Sequence, residues 1–270
     1  MLVVVCIKQV PDTTQVKIDP VTGNLIREGV PFIMNPFDTN ALEEGLRLKE
    51  KYGFQVTVLS MGPPNTEVTL RKALALGVDN AVLLSDRAFG GADTLATSKV
   101  LAEAIKRLAQ KEEVAIVLCG KQTIDGDTAQ VGPGIATRLG YSQLTMVDNI
   151  ENIDLQSKKL IAKRKLEGRD EVVEASLPVM ISVVREINTP RYPTVPLRLM
   201  AKETTVTLWD NKEMKLIEDT IGLKGSATHV RKIFSPERAT GEILGDGTAN
   251  PDEAAGLLIN KLRENGLILI

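Results

Sequence analysis

The sequence predicts an α/β fold built on a doubly wound, mostly parallel sheet, followed by a C-terminal extended arm. Three observations carry this. Apolar runs recur at residues 2–7, 56–61, 81–85 and 114–120, rich in Val, Ile or Leu on both faces, as strands covered from both sides are. Helical patterns fall between them, and this alternation gives a parallel sheet. Beyond Ala201 the rhythm is lost, and such a tail buries no core by itself. The expected division is therefore 1–200 and 201–270.

The elements follow in order. After the first strand, Asn35 is a good N-cap and Pro36 a good N1 residue for a helix over 37–51. A second helix, 66–76, stops at Gly77. The third covers 93–109, with Asp93 or Thr94 as its cap. The fourth covers 128–139, capped by Asp127 and stopped by Gly140. Residues 159–165 and 172–175 form a hairpin around Glu167-Gly168-Arg169, and 178–184 is a further strand. Pro190, Pro193 and Pro196 predict an exposed, stiff loop. Past Ala201 only 252–265 reads as a helix.

Composition narrows the function. The 270 residues carry 33 Lys+Arg against 35 Asp+Glu, a net charge of −2, which argues against a general nucleic-acid binder. Aromatics at 3% argue against base stacking. Cys6 and Cys119 lie inside apolar runs and read as buried, reduced thiols. The single histidine, His229, excludes a multi-His metal centre. The N-terminal run is short, is broken by Lys8 and lacks a basic leader, so it reads as a strand rather than a signal peptide. No run approaches the ~20 apolar residues of a membrane span. A cytoplasmic location is expected.

Open parallel sheets bind ligands outside the carboxyl ends of their strands, near the switch in strand order. The candidates are therefore the residues after each strand. Lys8-Gln9-Val10-Pro11-Asp12 follows the first, Met61-Gly62 the second, and Gly90-Gly91-Ala92-Asp93-Thr94 lies beyond the third. Gly120 through Gln130 follows the fourth and is the densest collection of glycine, amide and hydroxyl groups. It opens a helix, whose free N–H groups and positive dipole end suit a phosphate. Asp125 and Asp127 would repel a phosphate that they faced. With Asp127 as a cap and Asp125 on a ribose hydroxyl, the contacts fall to main-chain N–H groups, Thr128, Gln122 and Gln130. A well-capped loop without a ligand is the other reading, and this segment alone leaves both open. No P-loop is present. Gly132-Pro133-Gly134 starts a G-x-G-x-x-G pattern, but Thr137 ends it and it lies inside the helix. No nucleophile, general acid or base, or metal ligand is assigned.

Read together, Val5-Cys6-Ile7-Lys8-Gln9-Val10-Pro11-Asp12, Met34-Asn35-Pro36-Phe37-Asp38 and Gly120-Lys121-Gln122-Thr123-Ile124-Asp125-Gly126-Asp127 resemble the β subunit of electron-transfer flavoproteins. The resemblance covers essentially the whole chain. Ala162-Lys163-Arg164-Lys165-Leu166-Glu167-Gly168 matches the family's signature stretch, with Arg169 a departure. The resemblance implies a Rossmann-like, adenine-nucleotide-binding domain over 1–200. It also implies a heterodimer with an α subunit that carries one FAD, the 201–270 arm packing on that subunit. The β subunit would bind a second nucleotide, AMP or FAD, at positions matching Cys6, Asn35, Phe37, Asp38, Met61 with Gly62, Gly120, Gln122, Asp125, Gly126, Asp127, Thr128, Gln130 and Val131. Asn188 through Val195 resembles the family's recognition loop, so Pro190, Arg191, Tyr192 and Val195 are the expected partner contacts. Val195 stands where a leucine is usual. Residues 77–98 are similar to the motif of NADH-linked, electron-bifurcating members, with Asp93, Thr94, Thr97 and Ser98 lining a second cleft. That likeness implies FAD taking a hydride from NADH. One electron would pass to the α-subunit flavin and a flavin-dependent dehydrogenase, the other to a low-potential ferredoxin or flavodoxin. A single-flavin shuttle with structural AMP is the alternative.

Overall fold

Side chains of the first strand, β1 (Leu2–Cys6), alternate between two cores. Val3 and Val5 enter one, Leu2, Val4 and Cys6 the other, as a pleated strand covered on both faces requires. The computed structural model describes residues 1–12, 17–18, 25–26, 31–229 and 241–268. The chain continues through β2 (Gln9–Pro11), β3 (Lys17–Ile18), β4 (Leu25–Ile26), β5 (Phe32–Met34), α1 (Pro36–Tyr52), β6 (Gln55–Met61), α2 (Glu67–Leu74), β7 (Asn80–Leu84), α3 (Thr94–Ala109) and β8 (Val114–Gly120). Then come α4 (Val131–Leu139), β9 (Ser142–Asp154), β10 (Lys159–Leu166), β11 (Arg169–Ser176), β12 (Val179–Val183), α5 (Val195–Glu203), β13 (Thr207–Trp209), α6 (Asn211–Met214) and α7 (Pro251–Glu264).

The main sheet runs β11-β10-β9-β12-β8-β1-β6-β7-β13. From β9 to β13 every neighbouring pair is parallel, and the β10–β11 hairpin closes one end antiparallel. Leu42, Leu46, Leu70 and Ala73 of α1 and α2 cover one face. Val100, Ile105, Ile135 and Ala136 of α3 and α4 cover the other. This is the doubly wound arrangement that the sequence predicts.

Several boundaries differ from the sequence reading. The fourth helix starts at Val131, with Gln130 as its N-cap and no side-chain cap bond. Asp127 is not the cap, because it lies three residues upstream in the left-handed region, φ 54°. The predicted 190s loop turns helical at Val195, since Pro196 sits in the first turn of α5, where proline starts helices rather than stopping them. β9 carries no assignment in the sequence reading. Only Leu144, Val147 and Ile153 of its thirteen residues are buried, and Met146 at φ 62° breaks the alternation.

The chain forms two units, Met1–Arg231 and Lys232–Ile270. In the first, β13 joins the sheet, and Trp209 and Ile221 enter the α3–α4 core. In the second, α7 buries none of its residues, and Lys261 pairs with Glu242 at 2.9 Å.

Candidate functional site

Strand order switches at β1. The chain lays β6 and β7 on one side of it, then returns to place β8 and β12 on the other. The carboxyl ends of β1 and β8 therefore flank the crevice in which such folds take ligands, and α1 begins directly above it.

Asn35 and Asp38 tie these ends together. Asn35, fully buried, occupies the N-cap position of α1 but makes no cap bond. Its side chain instead crosses to the β8 loop, where Nδ2 donates to the Gln122 carbonyl at 2.9 Å and Oδ1 accepts from the Ile124 N–H at 3.2 Å. Its own N–H donates to the Lys8 carbonyl at 2.9 Å. Asp38 accepts the main-chain N–H groups of Lys8 at 2.8 Å and Gly120 at 3.0 Å. Gly120 has no alternative: a Cβ there would lie 2.5 Å from the Phe37 Cβ. Phe37 itself is flanked by Lys121 and Arg185, whose charged groups lie 5.3 and 4.8 Å from its ring centre. These residues border a cleft of about 470 Å³ that also reaches Met146 and Lys165.

The loop from Gly120 to Gln130 is held from outside by Asn35 and Lys8 and within by Gln122. Lys8 Nζ donates to Asp125 Oδ2 at 2.6 Å, and Gln122 donates to the Asp127 carboxylate. Partial burial pulls the Asp125 carboxyl upward, but hydrogen bonds from Lys8 and Thr123 hold it below the ordinary carboxylate range. Both acids are thus already engaged, Asp125 by Lys8 and Asp127 by Gln122. Asp127 and Ala129 adopt φ of 54° and 55°, a backbone that L residues rarely take without a local reason. Gly126 and Thr128 are exposed, and Val131 opens α4. Beneath, Gly132 admits the sulfurs of Cys119 and Met180, at 2.8 and 3.1 Å from where its Cβ would be. Burial pushes the Cys6 thiol up to about 12, helped by nearby Asp38, and Cys119 rises well above its ordinary value for the same reasons. Both are buried in the α3–α4 core.

Met61 and Gly62 end β6, on the other side of β1, and the Gly62 N–H donates to the Leu84 carbonyl at 3.0 Å. Asp93, Thr94 and Thr97 sit at the start of α3. Thr94 Oγ1 donates to Gln130 Oε1 at 2.8 Å, joining the α3 and α4 N-termini. Asp93 caps α3 through the Ala96 N–H at 3.0 Å, and its other oxygen takes the N–H groups of Ala227 and Thr228 at 2.8 and 3.0 Å. Burial pulls its carboxyl upward, but these bonds together hold it below the ordinary carboxylate range. A cleft of about 330 Å³ lies here, lined by Thr94, Ser98, Gln130, Arg138 and Thr228. The sequence reading missed Arg138, whose guanidinium donates to the Gly134 and Leu95 carbonyls. It also missed the 222–228 segment. The break at Gly222 and Gly225 was the available signal for that segment, because neither position has space for a Cβ.

The expected partner contacts divide. Arg191 is spent on α1, with donors 2.9 and 3.0 Å from the Glu43 carboxylate and a further pair to Glu50. Pro190 is half-buried, whereas Tyr192 and Val195 are 93% and 70% exposed. Leu199 and Met200 of α5 extend that apolar surface.

The arrangement can accept an anionic group. The first turn of α4 has no side-chain cap, the acids of its loop are already engaged, and glycines line the approach. Fold and site together define a doubly wound α/β protein whose polar loop stands at the strand-order switch.

The electron transfer flavoprotein domain model matches residues 22–214, and the chain belongs to this family. It is 48% identical over 269 residues to the electron transfer flavoprotein subunit beta of Clostridium acetobutylicum, covering 99% of this chain and all of that protein. It is likewise 48% identical over 270 residues to the caffeyl-CoA reductase-Etf complex subunit CarD of Acetobacterium woodii, covering 99% of this chain and all of that protein. Protein FixA of Azotobacter vinelandii is 44% identical over 262 residues, covering 96% of this chain and 93% of that protein. The chain is an electron-transfer flavoprotein β subunit by family. No helix among the described residues is long and apolar enough to cross a membrane, and no cluster of His, Cys, Asp or Glu among them could hold a metal ion.

Proposed function

We propose that this chain works in the cytoplasm as the β subunit of an NADH-linked electron-transfer flavoprotein, paired with an α subunit that carries a second FAD. FAD, when bound, supplies hydride acceptance from NADH and the division of two electrons. That division would send one electron toward the α-subunit flavin and a flavin-dependent dehydrogenase and the other toward a low-potential ferredoxin or flavodoxin. The protein's part is placement, since the cofactor carries the chemistry.

The observation that carries this reading is the continuity of two polar regions. Thr94 donates to Gln130, which sets the α3 N-terminus beside the end of the loop after β8, as a dinucleotide spanning the two would require. In this reading the N–H groups of Gln130, Val131 and Gly132 take the diphosphate. Asn35 and Asp38 tie the two loops together at a fixed separation, while Thr94, Thr97 and Arg138 stand where the larger end of the ligand would lie. Tyr192 and Val195 meet the partner dehydrogenase, with Arg191 fastening their loop to α1. The name of the Clostridium relative supports a role in electron transfer, and that of CarD a complex with a reductase. AMP in the crevice is the second reading, supported by the polar loop, which would serve the adenylate half of either ligand equally.

The test is anaerobic addition of NADH to the purified α/β complex while the visible flavin absorbance is followed. Bleaching of the bound flavin at stoichiometric NADH is expected. An unchanged spectrum with excess NADH contradicts the NADH-linked reading.

A further inference from the structure

At the strand-order switch one buried carboxyl accepts from two loops at once. Asp38 is 4% exposed. Its Oδ2 takes the Lys8 N–H at 2.8 Å and its Oδ1 the Gly120 N–H at 3.0 Å. A Cβ on Gly120 would lie 2.6 Å from Asp38 Oδ1 and 2.5 Å from the Phe37 Cβ. At Gly120, α1 and the end of β8 leave no room for even one added carbon beside this oxygen.

We propose that Asp38 is a positioning residue, which holds the loops after β1 and β8 at a fixed separation through the N–H groups of Lys8 and Gly120 without touching the ligand. The consequence for binding rests on the nucleotide reading above; the geometry does not. Likeness to the family marks Asp38 only as part of the nucleotide region, whereas its hydrogen bonds give it this separate task.

The staple is sensitive to protons. An ionised carboxyl accepts both N–H groups through charge-assisted bonds, whereas a protonated one keeps one strong acceptor and gives the other N–H a weaker bond. Facing it are Cys6 at the end of β1, Cys119 at the end of β8, Asn35 on its own helix and the Lys8 ammonium, which turns to Asp125. Burial pushes Asp38 up to about 7, against hydrogen bonds from Asn35, Lys8 and Gly120. The loops are therefore drawn together above neutrality and loosened below it.

The test titrates the full-length chain, stripped of nucleotide, with FAD between about pH 5.5 and 8.5. The diphosphate of FAD keeps its charge over this range. Wild-type affinity is expected to rise roughly tenfold with pH around a midpoint near neutrality, while Asp38→Asn stays at the low-pH level throughout. His229 is present in both proteins, so its contribution cancels. Parallel profiles in the two proteins, or a flat wild-type profile, overturn the proposal. Amide exchange at Lys8 and Gly120 in the ligand-free wild type is the second readout and needs no variant. Protection should fall below neutral pH after correction for intrinsic rates, and constant protection overturns the proposal. Failure of FAD to bind at any pH overturns the nucleotide reading instead, and the exchange data still decide the role of Asp38.

Discussion

Asp38 makes the fold itself sensitive to pH. Its native value near 7 lies above its ordinary 3.8, because burial disfavours the charge. The native state therefore holds this proton where the unfolded chain has lost it. The stabilisation is complete below the ordinary value and is lost as pH rises through about 7. Wild type should lose about 4 kcal/mol relative to Asp38→Asn between acid and alkaline pH, read from denaturant midpoints; equal slopes in the two proteins would contradict it. Asn35→Ala leaves the Gln122 carbonyl and the Ile124 N–H without their partner. The expected cost is about 1–3 kcal/mol, with faster amide exchange confined to residues 121–130. Gly120→Ala drives a methyl into Phe37 and Asp38 and should cost about 1–3 kcal/mol as overpacking, seen as a lower melting temperature.

At the level of elements, the start of α3 anchors the 222–228 segment. Asp93 accepts from Ala227 and Thr228, Ser226 Oγ accepts the Asp93 N–H at 2.8 Å, and the Leu223 N–H donates to the Gly90 carbonyl. Asp93→Ala removes both a helix cap and this anchor. Limited proteolysis should then cut within 222–229 several times faster than in wild type, and an unchanged rate would show that the anchor lies elsewhere. The same element explains what the sequence did and did not reveal. Asp93 was legible as a cap because Asp before an apolar periodic run is a local signal. Its second task was not, since Ala227 is 134 residues away. The four central strands were legible because both of their faces are apolar. β9 was not, because it lies between a hairpin and the sheet with most side chains half-exposed. Proline misled at Pro196, where it starts α5 rather than extending a loop. At the switch, the loop after β8 was legible from its glycines and amides. The bonds that shape it, from Asn35 and Lys8, span 87 and 117 residues and carry no local pattern.

For the whole molecule, the exposed side chains point to assembly. α7 exposes Leu257, Leu258 and Ile259 at 43%, 50% and 42% and buries none of its residues, so the second unit has little core of its own. Produced alone, the chain should be trimmed first between 241 and 268, and co-production with the α subunit should protect that segment; equal trimming in both preparations would contradict a role in pairing. The polar regions of the first unit carry the larger claim, that a flavin nucleotide occupies the crevice between β1 and β8 and extends toward α3. The most direct test is to denature the purified α/β complex and count the released nucleotides by chromatography. The account predicts two FAD per heterodimer. One FAD with one AMP would contradict it, leaving a single-flavin shuttle in which residues 77–98 only cap a helix and anchor a loop.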